Sequence, residues 1–162
     1  MGASASVPPH VIAHSFGTYI VAKALSKYPE ICVDRVIFCG SIVPEEFPWA
    51  AIVKRDQLSS LLNLCGGRDI WVKICQWVVL DAGASGVTGF SESLPGKVEN
   101  CVNPEFGHSD YFYDLQFAQS WLPYLLRGKV PNSSELQKKL NSYSWEQAAE
   151  KILSVYKKVL NP

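Results

Sequence analysis

The stretch His10-Val11-Ile12-Ala13-His14-Ser15-Phe16-Gly17 decides how the chain is read. After the breaking pair Pro8-Pro9, the residues from His10 to Ala13 read as a short buried strand. From Phe16 to Lys27 the apolar residues Ile20, Val21, Ala24 and Leu25 recur at helical spacing and share one face, and Pro29 stops the helix. Little chain separates strand from helix, so the backbone must turn sharply at Ser15. Taken alone, such a serine also fits a plain strand-to-helix turn in which its hydroxyl caps the helix.

Further along, strands and helices alternate. Arg35 to Cys39 (RVIFC) is a strand rich in β-branched and aromatic residues. Leu61 to Cys65 (LLNLC) is a third, ended by Gly66 and Gly67. Ile70 to Leu80 reads as a helix, Lys97 to Val102 (KVENCV) as a fourth strand, and Ser109 to Leu126 as a long aromatic-rich helix closed by Gly128 and Pro131. This order implies right-handed parallel βαβ units, hence an α/β fold with a parallel sheet of about four strands flanked by helices. Residues 1–130 would form that domain and residues 131–162 a helical tail packed on it. In the tail, Ser144-Trp145-Glu146-Gln147 has the form of a capping box, and Ala148, Ile152, Val155, Tyr156 and Val159 make an apolar stripe. A helix that docks another domain is the alternative reading of the tail.

The turn Ala13-His14-Ser15-Phe16-Gly17 resembles the nucleophile elbow of the α/β-hydrolases, G-x-S-x-G, with Ala13 at the first glycine position. The resemblance spans His10 to Leu126. It runs through HVIAHSFGTYIVAKAL, RVIFCGSIVP, GFSESLP and GHSDYF, which are similar to a group of bacterial serine-hydrolase-like domains. It implies a partial α/β-hydrolase fold with Ser15 as nucleophile, Asp69 as acid and His108 as base, and it gives no substrate. The elbow requires small residues such as Ala13 and Gly17 because strand and helix backbones come close there. It would lift the Ser15 hydroxyl above the sheet and leave the Phe16 N–H at a helix N-terminus, where it can stabilise an oxyanion.

Asp69, in Asn63-Leu64-Cys65-Gly66-Gly67-Arg68-Asp69, follows the third strand, where this fold usually places its acid. By itself it also fits a carboxylate favoured at a helix N-terminus. Asp81, Glu45 and Glu46 are the rival acids. His108 sits between the fourth strand and the next helix, completing the order Ser, Asp, His. His10 and His14 flank the elbow too closely to serve as base, and His14 and Gly17 are expected to line the site. The resemblance thus implies a carboxylesterase- or lipase-like enzyme. It would cleave an ester, thioester or related acyl bond of a small-molecule substrate through an acyl-enzyme, with no metal or organic cofactor. Ser41 to Ser60, with Phe47, Pro48 and Trp49, follows the strand where the family often inserts a lid, and any lid here would be small. Gly83, Gly86 and Gly89 in GASGVTG lack the context of a nucleotide loop and read as a flexible loop near His108.

Composition narrows the setting. Lys plus Arg and Asp plus Glu are both 15, so the formal charge is zero and no basic field exists to bind nucleic acid. The five cysteines, Cys32, Cys39, Cys65, Cys75 and Cys101, are odd in number and contain no C-x-x-C pair. They read as free thiols in a reducing compartment, which points to the cytoplasm. Residues 1–9 lack a basic n-region and an apolar h-region, and no apolar run is long enough to span a membrane.

A complete fold of the family has several strands before the elbow and a loop there that donates a second oxyanion N–H. With only nine residues before His10, the expectation is a truncated domain, and the alternative function is a non-catalytic interaction module that needs a partner half. The His10–Ala13 strand would then lie at a sheet edge, apolar and open to self-association or to pairing with a partner.

Overall fold

The computed structural model describes residues 7–92, 94–113 and 116–131. All of them lie in the first of the two units into which the chain divides, Met1–Pro131. The expected tail helix and its packing lie outside the described residues.

Four parallel strands form one sheet in chain order: β1 (Val11–His14), β2 (Val33–Cys39), β3 (Leu58–Gly66) and β4 (Val98–Asn103). Helix α1 (Phe16–Lys27) connects β1 to β2, and the short α2 (Trp49–Lys54) connects β2 to β3. Between β3 and β4 come α3 (Ile70–Val78) and the one-turn α4 (Ser85–Thr88). The parallel α/β architecture expected from the sequence is therefore present.

The register explains why the strands do not alternate apolar with polar. Val36 pairs with Leu61, Ile37 with Leu62 and Phe38 with Asn63, and all six are fully buried. Val36, Phe38 and Leu61 point to one face, where Ala22 and Leu25 of α1 and Trp49 and Ile52 of α2 complete the larger core cluster. Arg35, Ile37, Ser60 and Leu62 point to the other. There Tyr124 donates to Ser60 Oγ at 2.8 Å and Arg35 Nη1 to the Leu125 carbonyl at 2.6 Å, seating α5 (Leu122–Arg127) on the sheet. Both faces are covered, so both residue parities are apolar.

Gln57, just before β3, is fully buried. Its Nε2 lies 2.9–3.0 Å from the carbonyls of Leu25, Tyr28 and Ile31, and its Oε1 accepts from Arg55 Nε at 2.6 Å. The amide thereby satisfies carbonyls at the C-terminal end of α1 that have no partner within the helix. Its own carbonyl accepts from Val33 N at 2.8 Å, at the start of β2.

Three expectations are corrected. Ser109 to Leu126 is not one helix. A 3-10 turn (Asp110–Phe112) ends at Tyr113, which is extended with ψ 143°, and a π turn (Phe117–Trp121) then leads into α5. Pro123 accounts for the π turn: it has no N–H to give the Gln119 carbonyl, and its ring crowds that carbonyl, so the preceding turn widens. Gly128, at φ 66°, closes α5 as expected.

Phe47 and Trp49 do not belong to a lid. Trp49 is fully buried and packs edge-on to Phe38 and Phe90, with Phe47 tilted against it at 4.7 Å. The segment reads as a surface insert because its polar and proline residues mask two core aromatics.

GASGVTG, finally, is not a flexible loop. Gly83 N–H donates to Ile42 O at 2.8 Å and Gly86 N–H to Ser41 O at 2.7 Å, laying this segment against the chain after β2. A Cβ at Gly83 would collide with Pro44 Cα, and one at Gly86 with Ser41 N and the Gly40 carbonyl carbon. The glycines are there for close backbone approach. Gly86→Ala is therefore expected to lower the unfolding free energy by about 3 kcal/mol, the upper end of overpacking costs, because backbone must move. Urea unfolding followed by circular dichroism checks it, and a loss under about 1 kcal/mol would contradict the packing described.

Candidate functional site

The strands of a parallel sheet all end on one rim, and the residues singled out by sequence converge there. Ser15 follows β1, Asp69 follows β3 and His108 follows β4.

Ser15 has φ 51° and ψ −124°, a conformation that costs a non-glycine residue free energy. The turn is fastened on both sides. Ser15 N–H donates to Cys39 O at 3.0 Å, and Ser15 O accepts from Thr18 N at 3.0 Å and from the Thr18 hydroxyl at 2.6 Å. Thr18 Oγ1 in turn accepts from Ile42 N at 3.2 Å. The Ser15 side chain does not cap α1, which removes the plain-cap reading. Among the described residues its hydroxyl has no hydrogen-bond partner. Gly17 faces Ala13, and a Cβ on Gly17 would meet the Ala13 Cβ at an ordinary 3.9 Å. Phe16 is the first residue of α1, so its N–H has no partner within the helix.

Asp69 does two things at once. Its Oδ1 accepts from Val72 N at 3.1 Å, capping α3, and its two oxygens lie 3.0 and 2.9 Å from His108 Nδ1. The carboxylate is fully buried. A carboxylate oxygen only accepts, so Nδ1 is the donor of this pair and Nε2 is the ring nitrogen left free of it. The place at a helix N-terminus and the contact with His108 thus coexist in Asp69.

The loop before His108 is tied down. Gly67 N–H donates to Asn103 O at 3.0 Å, Arg68 N–H to Phe106 O at 2.9 Å, and Gly107 N–H to Asp110 Oδ2 at 2.7 Å. His14 does more than line the site. Its Nε2 is 2.8 Å from the His108 carbonyl oxygen, the two rings lie 4.5 Å apart, and Phe112 meets His14 edge-on at 5.0 Å. Burial holds the His14 imidazole below its usual pKa, so it is neutral at pH 7.

The other candidates lie elsewhere. His10 Nδ1 accepts from Arg35 N at 3.3 Å, at the opposite end of β1. Glu45 accepts from the Thr88 hydroxyl at 3.1 Å, and Asp81 occupies a turn beyond α3 at φ 62°.

Two residues of the site were not found from sequence. Gly40, directly after β2 at φ 55°, leaves the space in which Asp69 and His108 meet: a Cβ there would be 2.8 Å from Asp69 Oδ2 and 3.3 Å from His108 Nδ1. A glycine at the end of a parallel strand was the available signal. Tyr111 is fully buried and close to Gly40 and Gly66. Its hydroxyl makes no hydrogen bond among the described residues. Burial first, then the Asp69 charge, push the phenol well above its usual range, so it stays protonated.

Among the described residues no group of three or more His, Cys, Asp or Glu could hold a metal ion, and no helix is long and apolar enough to cross a membrane. None of the five cysteines, all among the described residues, is in a disulfide. No family model, curated protein or solved structure matches the chain.

Gly40→Ala tests the space. It is expected to cost about 1–3 kcal/mol through its positive φ and the collision with Asp69. It should also displace the His108 imidazole, read as a shift in the His108 ring NMR signals. Unchanged stability and signals would contradict the geometry.

Proposed function

We propose that the chain is a serine hydrolase of the α/β-hydrolase type, acting on an ester, thioester or related acyl bond. One observation carries this reading. A strained serine with an uncommitted hydroxyl shares a rim with an imidazole whose Nδ1 is held by a buried carboxylate. A cap or a core hydroxyl has no need of that backbone strain.

Ser15 Oγ attacks the acyl carbon. His108 Nε2 takes the hydroxyl proton, and Asp69 stabilises the resulting imidazolium at Nδ1. The carbonyl oxygen gathers negative charge and is met by the Phe16 N–H at the start of α1. His108 then gives its proton to the leaving group. The acyl-Ser15 is released by water, which His108 deprotonates in turn. No step calls for a cofactor, and an odd number of cysteines with no C-x-x-C pair favours a reducing compartment such as the cytoplasm.

A fluorophosphonate probe should label Ser15 in the wild-type chain. Turnover of short-chain p-nitrophenyl esters should fall at least about 10³-fold in Ser15→Ala and in His108→Ala. Equal turnover in the wild type and both variants, or no labelling of Ser15 with or without a partner half, would overturn the enzyme reading.

One observation favours the alternative of a module that pairs with a partner: β1 is an edge strand, and its Ile12 is 41% exposed. Outward N–H and C=O groups beside an exposed isoleucine form a template for another strand. That strand would come from a second copy or from a partner half. Val11 packs against the core, so Ile12→Lys is the cleaner probe. It should weaken self-association or partner binding in light scattering while leaving circular dichroism unchanged. A folded wild-type chain that stays monomeric at high concentration and needs no partner for activity would refute pairing at this edge.

A further inference from the structure

His14 stands in the elbow without a role in the chemistry above, yet its geometry is specific. It is the last residue of β1 and adjoins Ser15 in the chain. The other ties on the His108 loop act before or after the histidine, through Asn103, Phe106 and Gly107. The bond to His14 acts on His108 itself, at its carbonyl, over 2.8 Å. A carbonyl oxygen only accepts, so His14 must donate, and its proton is on Nε2. The donor ring is held from two sides, tilted at 47° against the His108 ring and edge-on to Phe112.

The backbone of the proposed base is thus bonded to the residue beside the proposed nucleophile. Ser15 hangs on β2 through Cys39, and His108 hangs on β3 through Asp69. The contact between His14 and His108 closes this path directly from the end of β1, without passing through β2 or β3.

We propose that His14 is a positioning residue: its Nε2–H fixes the His108 backbone relative to Ser15, so that His108 Nε2 is aimed at the serine hydroxyl when substrate is bound. This rests on the hydrolase reading above. His14 acts through His108 and transfers no proton. The cost of losing it is a misaimed base. Small misplacements of catalytic groups lower rates by up to about 100-fold, and they act on kcat because ground-state binding is untouched.

Two variants separate donation from bulk. His14→Phe keeps an aromatic ring against Phe112 and removes the donor. His14→Gln gives up the ring and offers an amide N–H at a similar reach. Ester turnover and the rate of fluorophosphonate labelling are measured on the full chain, with circular dichroism as the check on folding. The expected result is a fall in kcat of about 10- to 100-fold in His14→Phe, KM within about twofold, slower labelling, and recovery of most of the loss in His14→Gln. Labelling and kcat unchanged in His14→Phe would overturn this proposal and leave the hydrolase reading standing. So would an equal loss in both variants. No labelling of Ser15 in the wild type, alone or with a partner half, would overturn the hydrolase reading and this proposal with it. Should His14→Phe not fold, the ¹⁵N signals of the wild-type imidazoles decide: His14 protonated on Nε2 supports the bond, and His14 protonated on Nδ1 overturns it.

Discussion

The imidazole of His108 meets the Asp69 carboxylate in a space that exists because residue 40 has no side chain. The left-handed backbone at Gly40 carries the chain off the end of β2, and the vacated volume holds a carboxylate oxygen, a ring nitrogen and the edge of Tyr111. An ionised carboxylate removed from water is costly unless its lone pairs are occupied. Asp69 meets that condition with the Val72 N–H at Oδ1 and with the His108 Nδ1–H beside the opening at Gly40. The capping of α3, the orientation of His108 and the burial of Tyr111 are therefore one arrangement.

The turn at Ser15 is maintained in a related way. Its backbone conformation is unfavourable by itself, and a cross-strand bond to Cys39 together with a doubly engaged Ser15 carbonyl holds it. Thr18 is the pivot, because its hydroxyl gives to Ser15 O and receives from Ile42 N. Ile42 O then receives from Gly83 N, so the strained turn is continuous through hydrogen bonds with the glycine-rich segment packed behind it.

Local patterns were legible where they alone determined the outcome. The span of α1 follows from one apolar stripe, a sharp turn before it and Pro29 after it. The four strands announced themselves as short runs, β-branched in β1, β2 and β4 and leucine-rich in β3, although β2 and β3 begin earlier than the runs do: Val33, Leu58 and their neighbours pair only because the sheet is there to receive them. Ser15, Asp69 and His108 were named by their resemblance to the α/β-hydrolase pattern, and the parallel strand order places the strand ends that precede them on a common rim. The meeting of Asp69 with His108 was expected only from the resemblance; the space that permits it, at Gly40, appears only when distant strands are side by side. Phe47, Trp49 and the glycines of GASGVTG were misread for the same reason. Whether an aromatic covers a site or fills a core, and whether a glycine gives freedom or close contact, is decided by partners remote in sequence.

Gln57 gives the two ends of the sheet different characters. At the amino end, one buried amide joins the last turn of α1 to the approach to β3, and the same residue's carbonyl joins both to the first residue of β2. The final turn of that helix cannot fray alone, because fraying would strand a desolvated amide with no water to replace its partners. The helix end and two strand beginnings must open together or stay closed, so this end of the molecule behaves as a single cooperative unit. The base of the scaffold is thus held like a vice through one side chain, whereas the opposite rim is fastened by several separate bonds, each tying one loop to its neighbour.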